Sequence, residues 1–472
     1  MSEFSTTKDI CERIFLLEAE HNLLDYEVDG VKVWQYLRMH IYYALAQKCG
    51  VLSNPHPLTN SLLHRVRRYI PNLRSIMFHN PFFSSKPIDA LFLDHPRSEK
   101  YEGHNIDIYT YFLLEKMAGE CKQVCILERA NQGIHSRSLH PNRKHIDAIH
   151  MCRLFSMLIG RGKCTNDGLQ RINWINQLIR NAFCVDIDLH SLLIGGVKRF
   201  KINYCIYTKL LARLKPKRLF VVVAYGYLGE IIRAAKDAGI EVVEIQHGVF
   251  SKYHLGYSFP GRKNELDYFP DVLLTWGRYW SELMEFPISR NKVIDFGFEY
   301  FHRMKAKHSN TCRKKGQILI LSQGAIGLVL AKKILDLVDE LTQYKLIYKL
   351  HPNEYSSWQD NSDLRCLSKK NNVHIVDRNH DLYHLFAESE YQFGVFSTAI
   401  FEGIGMGCKT VLLDLPGVEY MANLVDRGLA VLHREGKTLQ TTLRDADNIQ
   451  IDHSTKEMFG YEHPVSEYAI LS

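Results

Sequence analysis

The 472-residue chain has no run of about 18 uncharged apolar residues, which argues against a membrane-spanning helix. It has no Cys-x-x-Cys pair among its eleven scattered cysteines, so neither a zinc ribbon nor a disulfide framework is suggested, and a reducing compartment is expected. It has no Gly-x-x-x-x-Gly-Lys-Ser/Thr loop, which excludes a P-loop kinase. It has no fixed-period repeat and no low-complexity tract, and 29 Gly and 14 Pro are too few for a fibrous or disordered chain. The start, from Met1 through Ser5, Lys8 and Asp9, lacks the basic segment and apolar core of a signal peptide, so a cytoplasmic location is expected.

What is present is an ordinary folding composition, 46% hydrophobic and 24% charged, spread over a length that calls for at least two domains. The formal charge of +7 suits phosphate-bearing ligands or an anionic surface without demanding nucleic acid. Residues 8–50 carry apolar side chains at helical spacing on both sides of Asp29-Gly30. Residues 60–78 set Leu62, Val66, Ile70 and Leu73 against Arg65, Arg67, Arg68 and Arg74, the pattern either of a helix packed on the N-terminal domain or of an interfacial helix, with a kink at Pro71. Lys198, Arg199, Lys201, Lys209, Arg213, Lys215, Lys217 and Arg218 read as a second basic helix face, solvated or touching lipid head groups.

From residue 88 the rhythm becomes short apolar runs alternating with helices, as in βαβ units. Predicted strands are 90–93, 123–127, 219–224 and 242–245, then a second series at 272–275, 293–296, 318–321, 346–350, 374–376, 391–395 and 410–413. The expected fold class is α/β with two Rossmann-like domains. The segments are a helical part over 1–87, an N-terminal domain over 88–268, a C-terminal domain over 269–455, and a tail over 456–472 that packs back on the first domain. Ligands of such folds bind at the carboxyl ends of the strands, so those ends are where chemistry is sought.

Three strand ends carry unusual polar groups. In Glu244-Ile-Gln246-His247-Gly248 the glycine permits a tight turn, and the histidine follows the strand directly, where it can act as a general base or serve a neighbouring loop. In Tyr348-Lys-Leu-His351-Pro352-Asn353-Glu354 the proline stops the ladder and holds the histidine at its end. His-Pro occurs five times, but only His95 and His351 follow a convincing strand. In Gly394-Val-Phe-Ser397-Thr398-Ala-Ile-Phe-Glu402 two hydroxyls and a helix N-terminus could face a phosphate and Glu402 a ribose, although a capping serine reads the same way. Ser322-Gln323-Gly324 follows another strand, where backbone amides could approach a diphosphate or simply turn.

Together these motifs resemble the bacterial glycosyltransferases with two Rossmann-like domains (GT-B type) that build capsules and lipopolysaccharide, closest to transferases of CMP-sialic acid or CMP-Kdo. Val31-Lys-Val-Trp34-Gln-Tyr-Leu-Arg38 and Asp94-His-Pro-Arg97 through Asp107-Ile-Tyr109 are similar to segments of such proteins, so the likeness spans most of residues 25–430. CDP-glycerol phosphotransferases of teichoic acid synthesis are similar too. The resemblance implies a nucleotide-sugar donor held by Ser322, Gln323, Gly324, His351, Pro352, Ser397, Thr398 and Glu402, and an acceptor saccharide or lipid-linked glycan beside Gln246, Gly248 and Arg97. It implies catalysis by His247, His351 and Asp94, with Asp107 another candidate base. The family's acid-rich motif that supplies the catalytic aspartate has no clear counterpart. No cofactor, no metal and no nucleic acid are implied: Asp186-Ile-Asp188 and Asp445-Ala-Asp447 lie away from the motifs. The expected setting is the inner face of a bacterial inner membrane, with peripheral contact. The alternatives are polyol-phosphate transfer from a CDP-alcohol and a non-catalytic scaffold of a polysaccharide assembly complex.

Overall fold

The computed structural model describes Phe4 and residues 6–52, 72–84, 86–95, 98–120, 122–130, 135, 142–264, 266–450 and 454–460. Of the helix expected over 60–78, Asn72–Phe78 is helical and residues 60–71 lie outside the described residues. Apolar runs such as Ala90–Leu93 and Val272–Thr275 are buried at every position. Continuous rather than alternating burial marks strands covered on both faces, as parallel sheets require.

Seven strands form the first sheet, in the order 293–295, 272–275, 241–245, 218–222, 90–93, 124–128 and 143–145. All its pairings are parallel, with Leu91 opposite both Leu219 and Cys125. The second sheet has six parallel strands ordered 373–376, 345–349, 314–321, 389–394, 409–413 and 431–433, with Leu319 opposite Ile347 and Gln392. The fold class is thus two parallel-sheet α/β domains.

The boundary expected at 268/269 is displaced. Val272–Thr275 pairs with Glu241–Ile245 and Val293–Asp295 pairs with it in turn, so both strands complete the first sheet. Alternation along the chain cannot show this, because a strand reads the same whichever sheet it joins. The change of sheet falls between Asp295 and Lys314; residues 302–316, whose dense basic residues and lack of apolar runs suggest a solvated loop from sequence, instead supply most of helix Glu299–Lys307 and the start of strand Lys314–Leu321. Strands 143–145 and 431–433 and the antiparallel hairpin 98–101/104–107 were not expected; they are short, and the hairpin is largely exposed.

The N-terminal helices Thr7–His21 and Val33–Lys48 share one apolar core with Asn166–Phe183 and His190–Leu214, forming a helical layer beside the first domain. The basic face expected over 198–218 is partly spent on ion pairs within the chain: Arg199 pairs with buried Glu230 and Lys201 with Asp29, while Lys217 meets Asp89 and Arg218 meets Glu241 nearer the surface. After the second sheet, helix Ser454–Phe459 returns to the first domain, where Trp280 Nε1 donates to Met458 O and Phe459 stacks on Phe301 at 3.9 Å.

Arg38, 2% exposed, anchors the helical layer. Its guanidinium meets Glu18 Oε1 and Oε2 at 2.6 and 2.7 Å and donates to Leu255 O and Ser258 O, while Trp34 Nε1 donates to the same carboxylate at 2.6 Å. Removing one partner of such a pair strands a buried charge, at a typical cost of about 3–5 kcal/mol. Glu18→Ala is therefore expected to lower the unfolding free energy by about that much, read from the urea midpoint at constant slope.

Candidate functional site at the facing sheet edges

The carboxyl ends of the two sheets meet. A β-carbon added at Gly248 would stand 3.2 Å from Thr398 Oγ1. Glycine is needed there for close approach between the domains; a left-handed turn, the usual reason for glycine after a strand, is not what Gly248 supplies, since its φ is not positive.

On the first-domain side, His247 is half-buried within a cage of rings. Tyr225 Oη is 3.4 Å from Nε2, Tyr257 Oη is 3.3 Å from Nδ1, and the rings of His95 and Tyr109 lie 6.3 and 6.5 Å away. Behind the cage, Tyr257 donates to Glu244 Oε1 at 2.6 Å, and the amide of Ala224 donates to the same oxygen at 3.0 Å. Burial pushes the Glu244 carboxyl up to about 7, against hydrogen bonds that favour its ionised form. When Glu244 is ionised Tyr257 commits its proton to it, so the phenol oxygen accepts from His247 Nδ1–H and Nε2 accepts from the Tyr225 hydroxyl, which a substrate hydroxyl must displace before Nε2 can take its proton. Val223, just before Ala224, sits at φ +65°, a strained state for a β-branched residue that the bonds to Glu244 help hold.

Asp94 and Asp107 form a second centre. Asp107 accepts from the amides of His95 and Tyr109 at 2.9 Å each and from Thr110 Oγ1 at 2.7 Å, fixing the loop that carries His95. Its carboxyl is nevertheless raised well above the usual range, by burial first and by the charge of Asp94 second. Asp94 is held by Arg143 Nη1 at 2.5 Å, and Arg143 also reaches Glu128 Oε2 at 3.0 Å.

On the second-domain side, His351 caps a short turn over Pro352–Glu354: its Nδ1 accepts from the amide of Asn353 at 3.2 Å, and its own amide donates to Glu354 Oε2 at 2.7 Å. Accepting at Nδ1 puts the ring proton on Nε2, the tautomer that donates to an anion. Gly324 lies against this turn, where an added β-carbon would stand only 3.1 Å from His351 Nδ1, and Gln323 Oε1 accepts from the amide of Phe396 at 3.3 Å. The loops at 322–324, 351–354 and 396–398 are thus tied into one surface, on which Ser397 caps helix Thr398–Gly405 by accepting from Ala399 N at 3.2 Å.

His247, Gly248, Gly324, His351, Pro352, Ser397 and Thr398 are accordingly gathered at the facing edges. Others are not available there. Gln246 is 0% exposed, with its amide spent on Trp276 N and Gly248 O, so it is a packing group rather than an acceptor contact. Ser322 is buried, its amide donating to Lys349 O and its hydroxyl 3.3 Å from Tyr348 Oη, so it closes the sheet end rather than cradling a diphosphate. Glu402 is 1% exposed and offers a ribose no surface in this arrangement. Arg97 lies outside the described residues. The acids of both Asp-x-Asp triplets serve local pairs: Asp186 with Arg180, Asp188 with His190, Asp445 with Lys437 and Asp447 with Lys409.

Tyr225, Tyr257, Glu244 and Arg143 were not singled out by the sequence. Only Glu244 carried a signal, an acid between Val243 and Ile245 in the interior of a strand.

No family model and no curated protein matches the chain. Among solved structures it is similar to UDP-GlcNAc 2-epimerase from Methanocaldococcus jannaschii, at 12% identity over 80% of this chain and 96% of that one with a TM-score of 0.44. It is similar as well to UDP-GlcNAc 2-epimerase from Neisseria meningitidis bound to UDP-GlcNAc (14%, 80% and 95%, 0.43) and to the spinosyn rhamnosyltransferase SpnG (13%, 80% and 94%, 0.41). Likeness at this level adds nothing to the topology and carries no substrate to this chain.

Glu244 gives a pH signature. Its folded-state value of about 7 lies above the ordinary 4.5, so its contribution is fully present below pH 4.5 and is lost as pH rises through 7. The difference corresponds to about 3 kcal/mol. Glu244→Gln, which keeps an acceptor for Tyr257 and Ala224, is expected to flatten the fall in stability between pH 5 and pH 8 in urea titrations.

Proposed function

We propose that the chain is a GT-B type glycosyltransferase that moves a sugar of the sialic acid or Kdo class from its CMP-activated donor to a bacterial surface polysaccharide or its lipid-linked precursor. The observation that carries this reading is the meeting of the His247-Gly248 loop with Thr398 across the two sheet edges, with His351 on the adjoining loop. A base on one wall and anion-binding donors on the other suit transfer between a hydroxyl acceptor and a phosphate leaving group.

In this mechanism the acceptor hydroxyl gives its proton to His247 Nε2 while its oxygen bonds to the anomeric carbon. The bond from that carbon to the phosphate oxygen breaks, and CMP departs with the electron pair. His351 Nε2–H and the hydroxyls of Ser397 and Thr398 offset the charge that builds on the phosphate. Asp94, committed to Arg143, and Asp107, bonded to the His95 loop, position the first wall.

His351→Ala is expected to lower turnover about 100-fold or more with little change in melting temperature, because its ring serves the cleft and not the core. Ser397→Ala should weaken CMP binding in a thermal-shift assay. Stabilisation by UDP and not by CMP would sink the cytidine assignment, and a product that keeps a phosphodiester would favour the CDP-polyol reading. Lipid binding with no donor turnover would favour the scaffold.

Peripheral membrane contact belongs to the same reading. Met77, Phe78, Phe83, Phe155, Leu158 and Ile159 are exposed, Leu158 by 85%, and Phe155 also lines a groove of about 550 Å³ with Phe82, Arg161, Lys201 and Lys209. Apolar side chains ringed by cations suit an anionic bilayer surface. The combined change Phe78→Ser, Phe155→Ser and Leu158→Ser is expected to abolish sedimentation with anionic liposomes and leave turnover on a soluble acceptor unchanged.

A further inference from the structure

Beside the first wall of the cleft, several elements send polar side chains to one half-buried spot. Glu128 ends strand 124–128 facing Arg143, His135 and His145, and Arg129 after it turns the other way, into the field of Tyr207, Glu230 and Arg199. Arg199, Asn203 and Tyr207 stand at i, i+4 and i+8 on helix His190–Leu214 and so share a face. Glu230, 0% exposed, comes from helix Gly229–Asp237, and its Oε1 accepts from Asn203 Nδ2 at 2.7 Å and from Arg199 Nε at 3.3 Å. Helix Asp147–Leu158 adds His150 and Arg153. The exposed ring of Tyr227 packs on the group, with the Arg199 guanidinium over it at 4.1 Å and the His40 ring 4.3 Å away.

The spot holds more hydrogen-bonding capacity than it uses. Arg129 Nε, His40 Nδ1, Asn203 Oδ1 and Glu230 Oε2 are all buried with no hydrogen-bond partner. Arg129 forms no hydrogen bond and no ion pair among the described residues, although the residue as a whole is only half-buried. Buried polar groups are almost always paired, so several orphans in one place mark a site that something else completes. Charge says what that is. Three guanidinium groups, Arg129, Arg153 and Arg199, gather around Tyr207 with one carboxylate, Glu230, beneath them. Asp94 and Asp147 also come near, but they are bound to Arg143 and His135. Burial first, and then Arg153, push His150 down to about 4, which leaves it neutral and adds no cation at pH 7. A guanidinium held this deep without a counter-ion is costly, and an anion beside it removes the cost.

We propose that Arg129 and Arg199 bind an anionic group of the acceptor, a carboxylate or a phosphate, an inference that rests on the transferase reading above. The planar fork of arginine matches either oxyanion. Arg129 follows the third strand from the one that ends before His247, and strands lie about 4.8 Å apart, so the anion sits roughly 14 Å from the base. One sugar ring does not span that distance. The charged group therefore belongs to a unit further along the acceptor than the one whose hydroxyl reacts: an acidic sugar of the growing chain, or the phosphate that joins a glycan to its lipid. Either would set the register of the acceptor across the first wall, apart from the donor surface around His351.

The test uses the full chain with CMP in excess, so that the donor wall is filled, and follows the melting temperature against glucuronate, glucose 6-phosphate and glucose. Expected results are a rise with one or both anionic sugars, none with glucose, and half-saturation at least about 10-fold weaker in Arg129→Met. Glucuronate acting alone assigns an acidic sugar, and glucose 6-phosphate acting alone assigns the phosphate linkage. Methionine keeps the apolar stem and removes an uncompensated charge, so without anion Arg129→Met is expected to melt no lower than wild type, which an arginine kept for packing would not allow. Equal shifts in wild type and Arg129→Met overturn the site. So does a wild-type chain that neither anion stabilises, a measurement that needs no variant. An Arg129-dependent shift without any CMP binding keeps the anion site and overturns the transferase reading, whereas CMP binding with no Arg129-dependent shift does the reverse.

Discussion

A layer of aromatic rings shared by the two domains holds the sheet edges face to face, and the geometry of the cleft depends on it. Trp276 stacks on Phe298 at 4.5 Å, Phe301 on Phe459 at 3.9 Å, and Trp280 packs against Phe401 of the second domain at 4.5 Å. Each such pair contributes about 0.5–1.5 kcal/mol beyond the burial of its area. The backbone is drawn in as well, since the amide of Phe298 donates to Phe459 O at 3.1 Å. Gly405 leaves room for this layer, for a β-carbon there would stand 2.5 Å from Phe301 and 2.7 Å from Phe459. Helix Ser454–Phe459 is thus a clasp: it follows the second sheet in the chain and its end is buried against the first domain.

Polar contacts tie the domains together beyond this layer. Tyr42 and Tyr420 share a hydrogen bond of 2.9 Å, and Arg427 lies over the Tyr279 ring at 4.7 Å. Tyr42 belongs to the helix that carries Arg38, so the helical layer bears on the second domain also. These contacts leave the loops between them, at 246–248 and 396–398, close enough for Gly248 to meet Thr398.

Burial, more than sequence distance from the cleft, sets the chemistry of the first wall. Glu244 and Asp107 are carboxyls in apolar surroundings that keep a proton more firmly than exposed acids do, each for the same reason and each bonded to a loop that carries a histidine. Glu244 stands behind His247 through Tyr257, and Asp107 stands behind His95 through its backbone amide. The wall is therefore built twice on one plan, an imidazole in front and a buried acid behind.

The sequence by itself determined the alternation of apolar strands and helices, and with it the parallel sheets, because both faces of such strands must be covered and the resulting runs are visible without a partner. It also marked His247, His351, Ser397 and Thr398 as polar groups that end a strand or open a helix, because a break in an apolar run is visible along the chain, although Ser397 and His351 also serve as local caps. Only the tertiary structure decided that Val272–Thr275 and Val293–Asp295 belong to the first sheet, since pairing is a choice among edges that no single strand encodes. It decided that Gln246, Ser322 and Glu402 face inward, because the direction of a side chain at a strand end depends on the twist and on the neighbours above it. The union of Glu128, His135, His145 and Ser75 is the clearest instance: Ser75 is 70 residues from His145, and only the packing of a helix against a sheet edge makes them neighbours.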